Sequence, residues 1–569
     1  KSAGVDHQHS ADACSIETHD SCSRREAEVE DPIGSQNPAR NVVWRPLYKE
    51  RRGATASYYY PQGRGQPEHF GQSPYSFGGR ACNLSAMRAW TWTHPAGRFA
   101  AVTTGKAVVD DRKCVYLTQE SVIYKLSPEG SLIWKWQPQN QQWPGRHLPR
   151  HSALYDGLLY NCISDGSVFA IDMETGFQVW ETRVANQTGG DTGFVTVYAG
   201  RVFLDVDPPD PTINRKNRIV SLNASTGEML WEYRPDSGVW NFLPHYLGDD
   251  TLLFMGWHGD AHRLNITTGR ELWRSGHLNN YTGWTDGGPA LGPNGVFYTV
   301  SSKSPQSAAT HSSGGGIHAF AVEDGRLIWE HTDLEQGVYT YPGVGRLDPN
   351  SNRIAVVTGV GSLAGIPLLA TLVGLLHFGP IAVVLGFVFW LLRLLICMCC
   401  AKCRTRQGPQ PHLRGLLVWL VFCVAFTYFS ILVWAHVYLF QFGYSCSIHA
   451  FDGESGSPIW RANLPKYNGY TARSDEQRVL PAWFAGNRLF CLPAASGYGV
   501  VDAAGVFWMP HLDGHLWRVK DWNGNGRIDD DGEELCSVDV GSAAATGGVT
   551  IVPGMLLVTT CDGLTVFKE

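Results

Sequence analysis

The stretch VFAIDMETGFQVW, residues 168–180, combines a short alternating run, a turn that ends in Gly176 and a Trp that follows after three spacer residues. The same pattern recurs in five other segments: IYKLSPEGSLIW (123–134), RIVSLNASTGEMLW (218–231), AHRLNITTGRELW (261–273), IHAFAVEDGRLIW (317–329) and SIHAFDGESGSPIW (447–460). Repeats of roughly 40–50 residues built from short strands are typical of a radial β-propeller. The predicted fold class is therefore all-β.

The repeat has a simple physical basis. Alternation over residues 168–171 predicts a strand, and Thr175-Gly176 supplies a tight turn that needs a positive φ. We interpret the Trp at constant offset as packing between neighbouring blades, because one ligand could not contact a whole ring of such residues.

The motif Ala-x-Asp-x-x-Thr-Gly-x-x-x-Trp resembles the blade motif of the quinoprotein (PQQ-like) propeller family. Ala170, Asp172, Thr175, Gly176 and Trp180 match it in order. The resemblance implies eight blades, of which six carry the motif.

Two further segments complete that number. Residues 515–520 belong to a modified seventh blade, and residues 555–560 with 564–567 belong to an eighth that lacks its last strand. The segment MRAWTWT, residues 87–93, is predicted to be an outer strand that closes the ring.

The length and composition fit one large β domain. The chain has 569 residues with 63 Gly and 21 Trp, and its formal net charge is −6 without a basic cluster in the propeller, so nucleic acid is not an expected partner. We divide the chain into a flexible polar tail (1–40), a first propeller part (41–359), an insertion (360–445) and a second propeller part (446–569).

The insertion is predicted to be a two-helix transmembrane hairpin. Its apolar runs, residues 367–392 and 416–440, have the length of about 20–25 residues that crosses a bilayer. Both ends return to the sixth blade, so the number of crossings must be even. Gly379-Pro380 either separates a re-entrant piece, 363–379, from the crossing helix or kinks one long helix, and we favour the kink because Arg393 then lies at the membrane edge.

The connection between the two runs, residues 393–414, carries five basic and no acidic residues, which predicts a cytoplasmic location. The propeller is then extracellular or luminal, at the cell surface or in the secretory pathway. A chain that begins with Lys1 also suits removal of a signal peptide. Five sequons give candidate glycosylation sites on that side: Asn83, Asn186, Asn223, Asn265 and Asn280.

The cysteines divide along the same line. Cys397, Cys399, Cys400 and Cys403 cluster beside basic residues and are candidates for S-palmitoylation, with a metal site as the alternative. The nine cysteines outside the membrane segment are expected to form disulfides, with one left over.

One segment has the spacing of a calcium loop. Asp521, Asn523 and Asn525 offer side-chain oxygens at alternate positions, Arg527 offers its carbonyl and Asp529 a carboxylate. The loop has Gly532 at position 12, where an EF-hand has Glu, and with its β flanks it resembles the hairpin calcium loops of integrin α-subunit propellers.

Two points about this loop stay open. Glu533 or Asp531 is a candidate further ligand, and a solvated Asn/Gly-rich turn is the alternative to a calcium site. The family's strand order implies that the loop and the membrane insertion lie on opposite faces.

Two functions of different classes follow. The favoured one is a non-catalytic, calcium-stabilised membrane scaffold that binds other protein subunits, surface glycoproteins or glycans. The alternative is a membrane-bound PQQ-dependent dehydrogenase that passes electrons to a quinone. PQQ is not expected, because no catalytic Asp or metal set maps by motif and the adjacent pair Cys399-Cys400 lies in the cytoplasmic connection.

Overall fold

The computed structural model describes most of the propeller. The described residues are 58–66, 71–97, 101–138 without 104 and 120–121, 151–186 without 164, 194–207, 217–275 without 237 and 240–241, 289–302, 314–361, 443–468 and 496–569 without 531, with separate helical residues within 380–395 and 417–429. The predicted tail, 1–40, lies outside them.

Eight sheets of four antiparallel strands form the molecule, which confirms the predicted eight-bladed propeller. The strands of the first four blades are β2 (Val108–Val109), β3 (Val115–Gln119), β4 (Val122–Leu126), β5 (Leu132–Trp136); β6 (Ala153–Tyr155), β7 (Leu158–Cys162), β8 (Ser167–Asp172), β9 (Gln178–Arg183); β10 (Thr196–Tyr198), β11 (Arg201–Val206), β12 (Arg218–Asn223), β13 (Met229–Tyr233); and β14 (His245–Tyr246), β15 (Thr251–Met255), β16 (Ala261–Asn265), β17 (Glu271–Arg274).

The strands of the other four blades are β18 (Ala290–Leu291), β19 (Val296–Ser302), β20 (Gly315–Ala321), β21 (Leu327–Leu334); β22 (Gly343–Gly345), β23 (Ala355–Gly361), β24 (Cys446–Asp452), β25 (Pro458–Asn463); β26 (Val500–Val501), β27 (Phe507–Pro510), β28 (His515–Val519), β29 (Leu535–Asp539); and β30 (Ala544–Val552), β31 (Met555–Thr560), β32 (Gly563–Lys568) with β1 (Arg88–Thr93). First strands of adjacent blades contact one another, β6 with β10 and β22 with β26, so they form the innermost ring.

The ring closes as the sequence predicts. Strand β1 pairs antiparallel with β32, with Trp92 opposite Leu564. A disulfide between Cys82 and Cys536 ties the segment before β1 to β29, with 6.4 Å between the two Cα atoms. The expectation that the outer cysteines pair is wrong for Cys114 and Cys446, which are buried thiols because each lies inside the packing between sheets.

The repeated Trp packs across the joint between blades, as predicted. Trp180 rests on the turn glycine of the next blade, where a Cβ at Gly227 would lie 2.5 Å from Trp180 Cε3. Its Nε1 donates to the carbonyl of Ala224 at 2.9 Å. The equivalent bonds run from Trp90 to Pro128, Trp134 to Met173, Trp231 to Ile266 and Trp329 to Gly453.

The Asp of the blade motif organises the turn that carries the glycine. Asp172 Oδ1 accepts from the backbone N–H of Thr175 at 2.7 Å and from its hydroxyl at 2.8 Å. These hydrogen bonds lower the pKa of Asp172. Gly176 then adopts φ 74°, which a side chain would disfavour.

The insertion leaves and re-enters blade 6 between its second and third strands. Strands β23 and β24 pair across it, with Val357 opposite Ala450. Residues 383–388, 417–422 and 424–429 are helical, and large apolar side chains there are exposed, including Val384 and Phe429. Within the part of the chain that is described, no helix has the length and apolar character to span a bilayer, so the predicted transmembrane hairpin is not confirmed.

Candidate functional site

The loop that is predicted to bind calcium is a described connection in blade 7, and its binding of a cation stays a prediction. Residues 521–534 connect β28 to β29 in blade 7, in place of the short turn that joins the third and fourth strands of other blades. The insertion joins the second and third strands of blade 6. In an antiparallel blade these two connections leave from opposite ends of the strands, so they lie on opposite faces of the propeller.

The loop is organised by the side-chain oxygens that the spacing predicts. Asp521 accepts from the backbone N–H groups of Gly524 (2.6 Å, Oδ1) and Gly526 (2.8 Å, Oδ2). Asn523 Oδ1 accepts from the N–H of Asn525 at 2.9 Å, and Asn525 Oδ1 accepts from that of Arg527 at 2.8 Å. The oxygens are therefore held inside the bend by the backbone that surrounds them.

Glu534 is a member of the loop that the sequence analysis missed. Its side chain accepts from the N–H groups of Trp522 (3.0 Å, Oε1) and Asp529 (2.9 Å, Oε2), and it is 2% exposed. Glu533, expected as a further ligand, instead pairs with Arg80 at 2.7 Å. The available signal was the position of Glu534 directly before a buried strand, which turns its side chain under the loop. Asp531 lies outside the described residues.

The donor set fits a hard cation. Asp521 Oδ1 accepts two backbone N–H groups, from Gly524 and Asn525, whereas Oδ2 accepts one and keeps a lone pair for a cation. The loop also offers the side-chain oxygens of Asn523 and Asn525 and the Arg527 carbonyl. Asn523, Asn525 and Asp529 are exposed, so a cation from solvent would reach them. In the described residues, no group of three or more His, Cys, Asp or Glu side chains forms a metal-binding cluster.

The sequons fall into two structural settings. Asn83 and Asn186 are exposed. Asn223 and Asn265 occupy the Asp position of the blade motif, and their Oδ1 atoms accept from the N–H groups of Ser225 (2.8 Å) and Thr268 (2.9 Å). At these two sites the Asn of the sequon therefore also stabilises the turn of the blade by hydrogen bonds. Asn280 and the four candidate palmitoylation cysteines lie outside the described residues.

A second feature, absent from the sequence analysis, is a hairpin on the propeller axis. The N–H of Gln62 donates to the carbonyl of Gly65 at 3.1 Å, and the N–H of Gly65 donates back at 3.0 Å. Gly63 and Arg64 form the tip of this two-residue turn. A Cβ at Gly63 would lie 2.9 Å from His151 Cγ, so only glycine fits without displacing that ring.

The described residues around this tip, 58–66 and 71–73, contact innermost strands on several sides of the ring, and therefore lie on the axis. We call this segment the axial hairpin. Its bonds are Tyr60 N–H to Val109 O (2.9 Å), Leu154 N–H to Pro61 O (2.8 Å), Gln62 Nε2 to Val197 O (2.5 Å), Arg64 Nη2 to Pro342 O (2.7 Å) and Ser73 N–H to Val501 O (2.7 Å). It links blades 1, 2, 3, 6 and 7.

Two cations meet aromatic rings at this position. The Arg64 guanidinium lies 5.0 Å from the centre of the Tyr341 ring, and Lys106 Nζ lies 4.8 Å from that of Tyr60. Lys106 is 5% exposed. Burial lowers the pKa of the Lys106 ammonium well below its ordinary value, and nearby Arg64 lowers it further.

The backbone N–H of Lys106 donates to His151 Nδ1 at 3.1 Å. That nitrogen is therefore an acceptor, and the His151 ring is neutral in this arrangement. The sequence signal for the hairpin was the Gly-Arg-Gly run at 63–65, but its contacts come from residues far along the chain, so its place on the axis could not be deduced.

Comparisons with known proteins agree with this fold. The family model described as outer membrane protein assembly factor BamB (PQQ_2) matches residues 118–276, 164–336 and 257–367. The chain is 24% identical over 284 residues to the lanthanide-dependent methanol dehydrogenase of Methylacidiphilum fumariolicum, covering 47% of this chain and 44% of that protein. It is 26% identical over 181 residues to the quinohemoprotein alcohol dehydrogenase ADH-IIG of Pseudomonas putida, covering 30% and 24%.

The chain thus spans less than half the length of these relatives. Among solved structures, a europium-containing methanol dehydrogenase superposes with a TM-score of 0.51 at 11% identity, covering 89% of this chain and 90% of that one. The quinohemoprotein alcohol dehydrogenase from Comamonas testosteroni superposes with a TM-score of 0.50 at 12% identity, covering 93% and 83%. At such identities the likeness concerns the fold alone. The chain is an eight-bladed β-propeller that carries the BamB-like PQQ_2 repeat between residues 118 and 367.

Proposed function

We propose that the protein is a non-catalytic scaffold, a propeller held at a membrane by the segment inserted in blade 6 and stiffened by calcium in the blade 7 loop. It binds protein subunits or surface glycoproteins on the extracellular or luminal side. The connection 393–414 lies in the cytoplasm, and its cysteines carry lipid.

The axial hairpin is the observation that carries the proposal. The dehydrogenase alternative needs a Trp floor and an acidic cluster that meet on the axis. The described residues at that place are instead Tyr60, Arg64, Lys106, His151 and Tyr341. The hairpin there bonds to blades 1, 2 and 7 through its backbone and to blades 3 and 6 through the side chains of Gln62 and Arg64. These hydrogen bonds between the hairpin and five blades support a structural role for the axis.

Membrane attachment has separate support. The helical residues within 380–395 and 417–429 expose large apolar side chains, among them Ile381, Phe387, Val421 and Val424. Water disfavours such a surface, and a bilayer accepts it. The sequence of each run has the length of a crossing helix.

Purification from native membranes in mild detergent tests the proposal. We expect a colourless propeller that co-purifies with a defined protein at fixed stoichiometry. A quinone chromophore released at one equivalent on denaturation would contradict it and establish the dehydrogenase. That alternative draws on two basic side chains at the axis, the half-buried Arg64 and the buried Lys106, and on relatives that are named as methanol and alcohol dehydrogenases.

Terbium luminescence tests the calcium loop, because Trp522 lies inside it and can sensitise a bound lanthanide. We expect saturable emission that calcium displaces, and about tenfold or greater weakening in Asp521→Asn, which loses a ligand charge. Asp530→Asn is the matched control, since Asp530 is outside the alternating positions. Equal emission from both variants would show that the loop is a solvated turn.

A further inference from the structure

The joint between blades 6 and 7 differs from the other joints that carry the Trp contact. At those joints the turn of the next blade covers the indole. A Cβ at Gly456, for example, would lie 2.8 Å from Trp329 Cδ2, and Trp329 Nε1 donates to the Gly453 carbonyl at 2.9 Å. At the blade 6 to 7 joint, loop 521–534 replaces that turn.

Trp460 is left without this cover. A Cβ at Gly526 would meet no closer atom than the Ile459 carbonyl oxygen, at 3.4 Å. Trp460 is 5% exposed, yet its indole N–H has no acceptor among the described residues. Trp273 also lacks an acceptor, but Gly325 still packs on its ring, with a Cβ distance of 2.7 Å.

A cleft of about 490 Å³ occupies the place of the missing turn. The charged side chains that line it are Asp348, Arg353, Lys520 and Asp521, and Trp460 and Asn525 are also part of its wall. Its volume is that of a small ligand or of a few residues of a peptide.

The described carboxylates in this cleft accept backbone N–H groups and no bond from the side chains of Arg353, Lys520 or Trp460. Both oxygens of Asp521 already accept loop N–H groups, and Asp348 Oδ1 accepts from the N–H of Asn350 at 2.9 Å. Arg353 bonds Asp452 only through Nε, at 2.5 Å, and its side chain is 60% exposed. Its two terminal nitrogens are therefore available to a ligand.

Lys520 adds a second cation. Its ammonium donates to the Ala504 carbonyl and lies 4.4 Å from the centre of the Trp522 ring, which leaves further N–H bonds for an acceptor. Indole, guanidinium and ammonium donors around one cavity match a carboxylate.

We propose that this cleft between blades 6 and 7 binds an acidic peptide segment of a partner protein, with its carboxylate held by Trp460, Arg353 and Lys520. The inference rests on the proposed scaffold function and names the chemistry of the partner. The site lies beside the candidate cation loop and on the face away from the inserted segment.

Fluorescence anisotropy on the full chain in detergent and calcium tests the site. The probe is dye-labelled acetyl-Gly-Asp-Glu-Gly-amide, and its neutral twin contains Asn and Gln in place of Asp and Glu. We expect saturable binding of the acidic probe alone. Trp460→Phe keeps the ring and removes the N–H, so it should weaken binding about tenfold or more.

Trp329→Phe is the matched control, because it makes the same change at the neighbouring joint and should leave binding unchanged. Equal binding of the two probes, absence of binding, or unchanged affinity in a folded Trp460→Phe variant would overturn the proposal. Binding of a dye-labelled chitotriose with none of the acidic probe would overturn it in favour of a carbohydrate site. The release of a quinone chromophore tests the scaffold function independently of peptide binding. Failure of the scaffold proposal can therefore be distinguished from failure of the peptide-site proposal.

Discussion

At the scale of single residues, one indole and one glycine hold each of the regular joints between blades. The contact works because glycine adopts a positive φ without cost and presents a bare backbone to the ring. In the joint formed by Trp180, the ring packs on Gly227 and the indole N–H donates to the carbonyl oxygen of Ala224. The sequence predicts this contact well, since every participant belongs to one short motif.

Trp180→Phe should lower the free energy of unfolding by about 1 kcal/mol or more, because a buried carbonyl loses its donor and part of the ring contact disappears. Trp273→Phe is the control, since the Trp273 N–H has no acceptor in the described residues and only packing changes. Chemical denaturation measures both variants. An equal loss in the two would show that the hydrogen bond contributes nothing.

Glu335 links blades 5 and 6. Its Oε1 accepts from the hydroxyl of Ser447 at 2.8 Å, lies 3.3 Å from His449 Nε2 and pairs with Arg461 at 2.7 Å. The hydrogen bond with His449 is the main cause that lowers the pKa of Glu335 to about 2 from 4.5. The contribution to stability is therefore complete above about pH 4.5 and is lost as pH falls towards 2.

We expect Glu335→Gln to lower stability at pH 7 by less than about 1 kcal/mol, since solvent screens this partly exposed group. The difference from the wild type should shrink between pH 4.5 and 2. Denaturation midpoints over that range measure it. A difference that stays constant with pH would contradict the assigned role of the carboxylate.

Residue types alone did not separate some roles. Asn223 and Asn265 match a sequon and also the Asp position of the blade turn, because Asn and Asp oxygens accept the same N–H groups. Glu533 and Glu534 are adjacent, and only the direction of the chain into β29 decides which carboxylate enters the loop. Which of two adjacent side chains faces the loop depends on the register of the strand that follows, and the sequence of a loop does not reveal that register.

At the scale of elements, blade 8 combines β1 with three strands that lie far later in the chain. The prediction of β1 from MRAWTWT succeeded because a Trp-rich strand without a blade of its own must pair somewhere. The axial hairpin escaped prediction because it has no strand periodicity and its partners are dispersed over five blades. Local sequence patterns are sufficient to predict the blades, whereas the position of the axial hairpin depends on contacts between residues far apart in the chain.

Removal of the Cys82–Cys536 disulfide should cost about 2–5 kcal/mol, because the bond closes a very long loop and anchors the segment that leads into β1. The double variant Cys82→Ser/Cys536→Ser tests this by denaturation. Cys114→Ser is the control, since Cys114 is a buried thiol. An unchanged double variant would indicate that β1 pairing alone keeps the ring closed.

At the scale of the whole molecule, the insertion in blade 6 and the long loop in blade 7 depart from the regular repeat on opposite faces. A variant in which an Asn-Gly turn replaces residues 362–442 should keep the propeller fold, because β23 and β24 already pair up to Gly361 and Cys446. We expect the full chain to float with liposomes in a density gradient and the variant to remain in the dense fraction.

Circular dichroism confirms that the compared proteins are folded. Flotation of the variant together with the full chain would place the membrane contact elsewhere on the molecule. If the full chain also remains in the dense fraction, it does not bind liposomes, and the proposed attachment to a membrane is contradicted.

The closing pair β1 and β32 also imposes an order of events during synthesis. Strand β1 emerges from the ribosome before any blade exists, and its partner emerges after the seven other blades have been translated. Strand β1 therefore stays unpaired during most of translation, and its exposed backbone groups can form non-native pairs with other strands. Ring closure is the step at which we expect chaperone dependence and slow folding to concentrate.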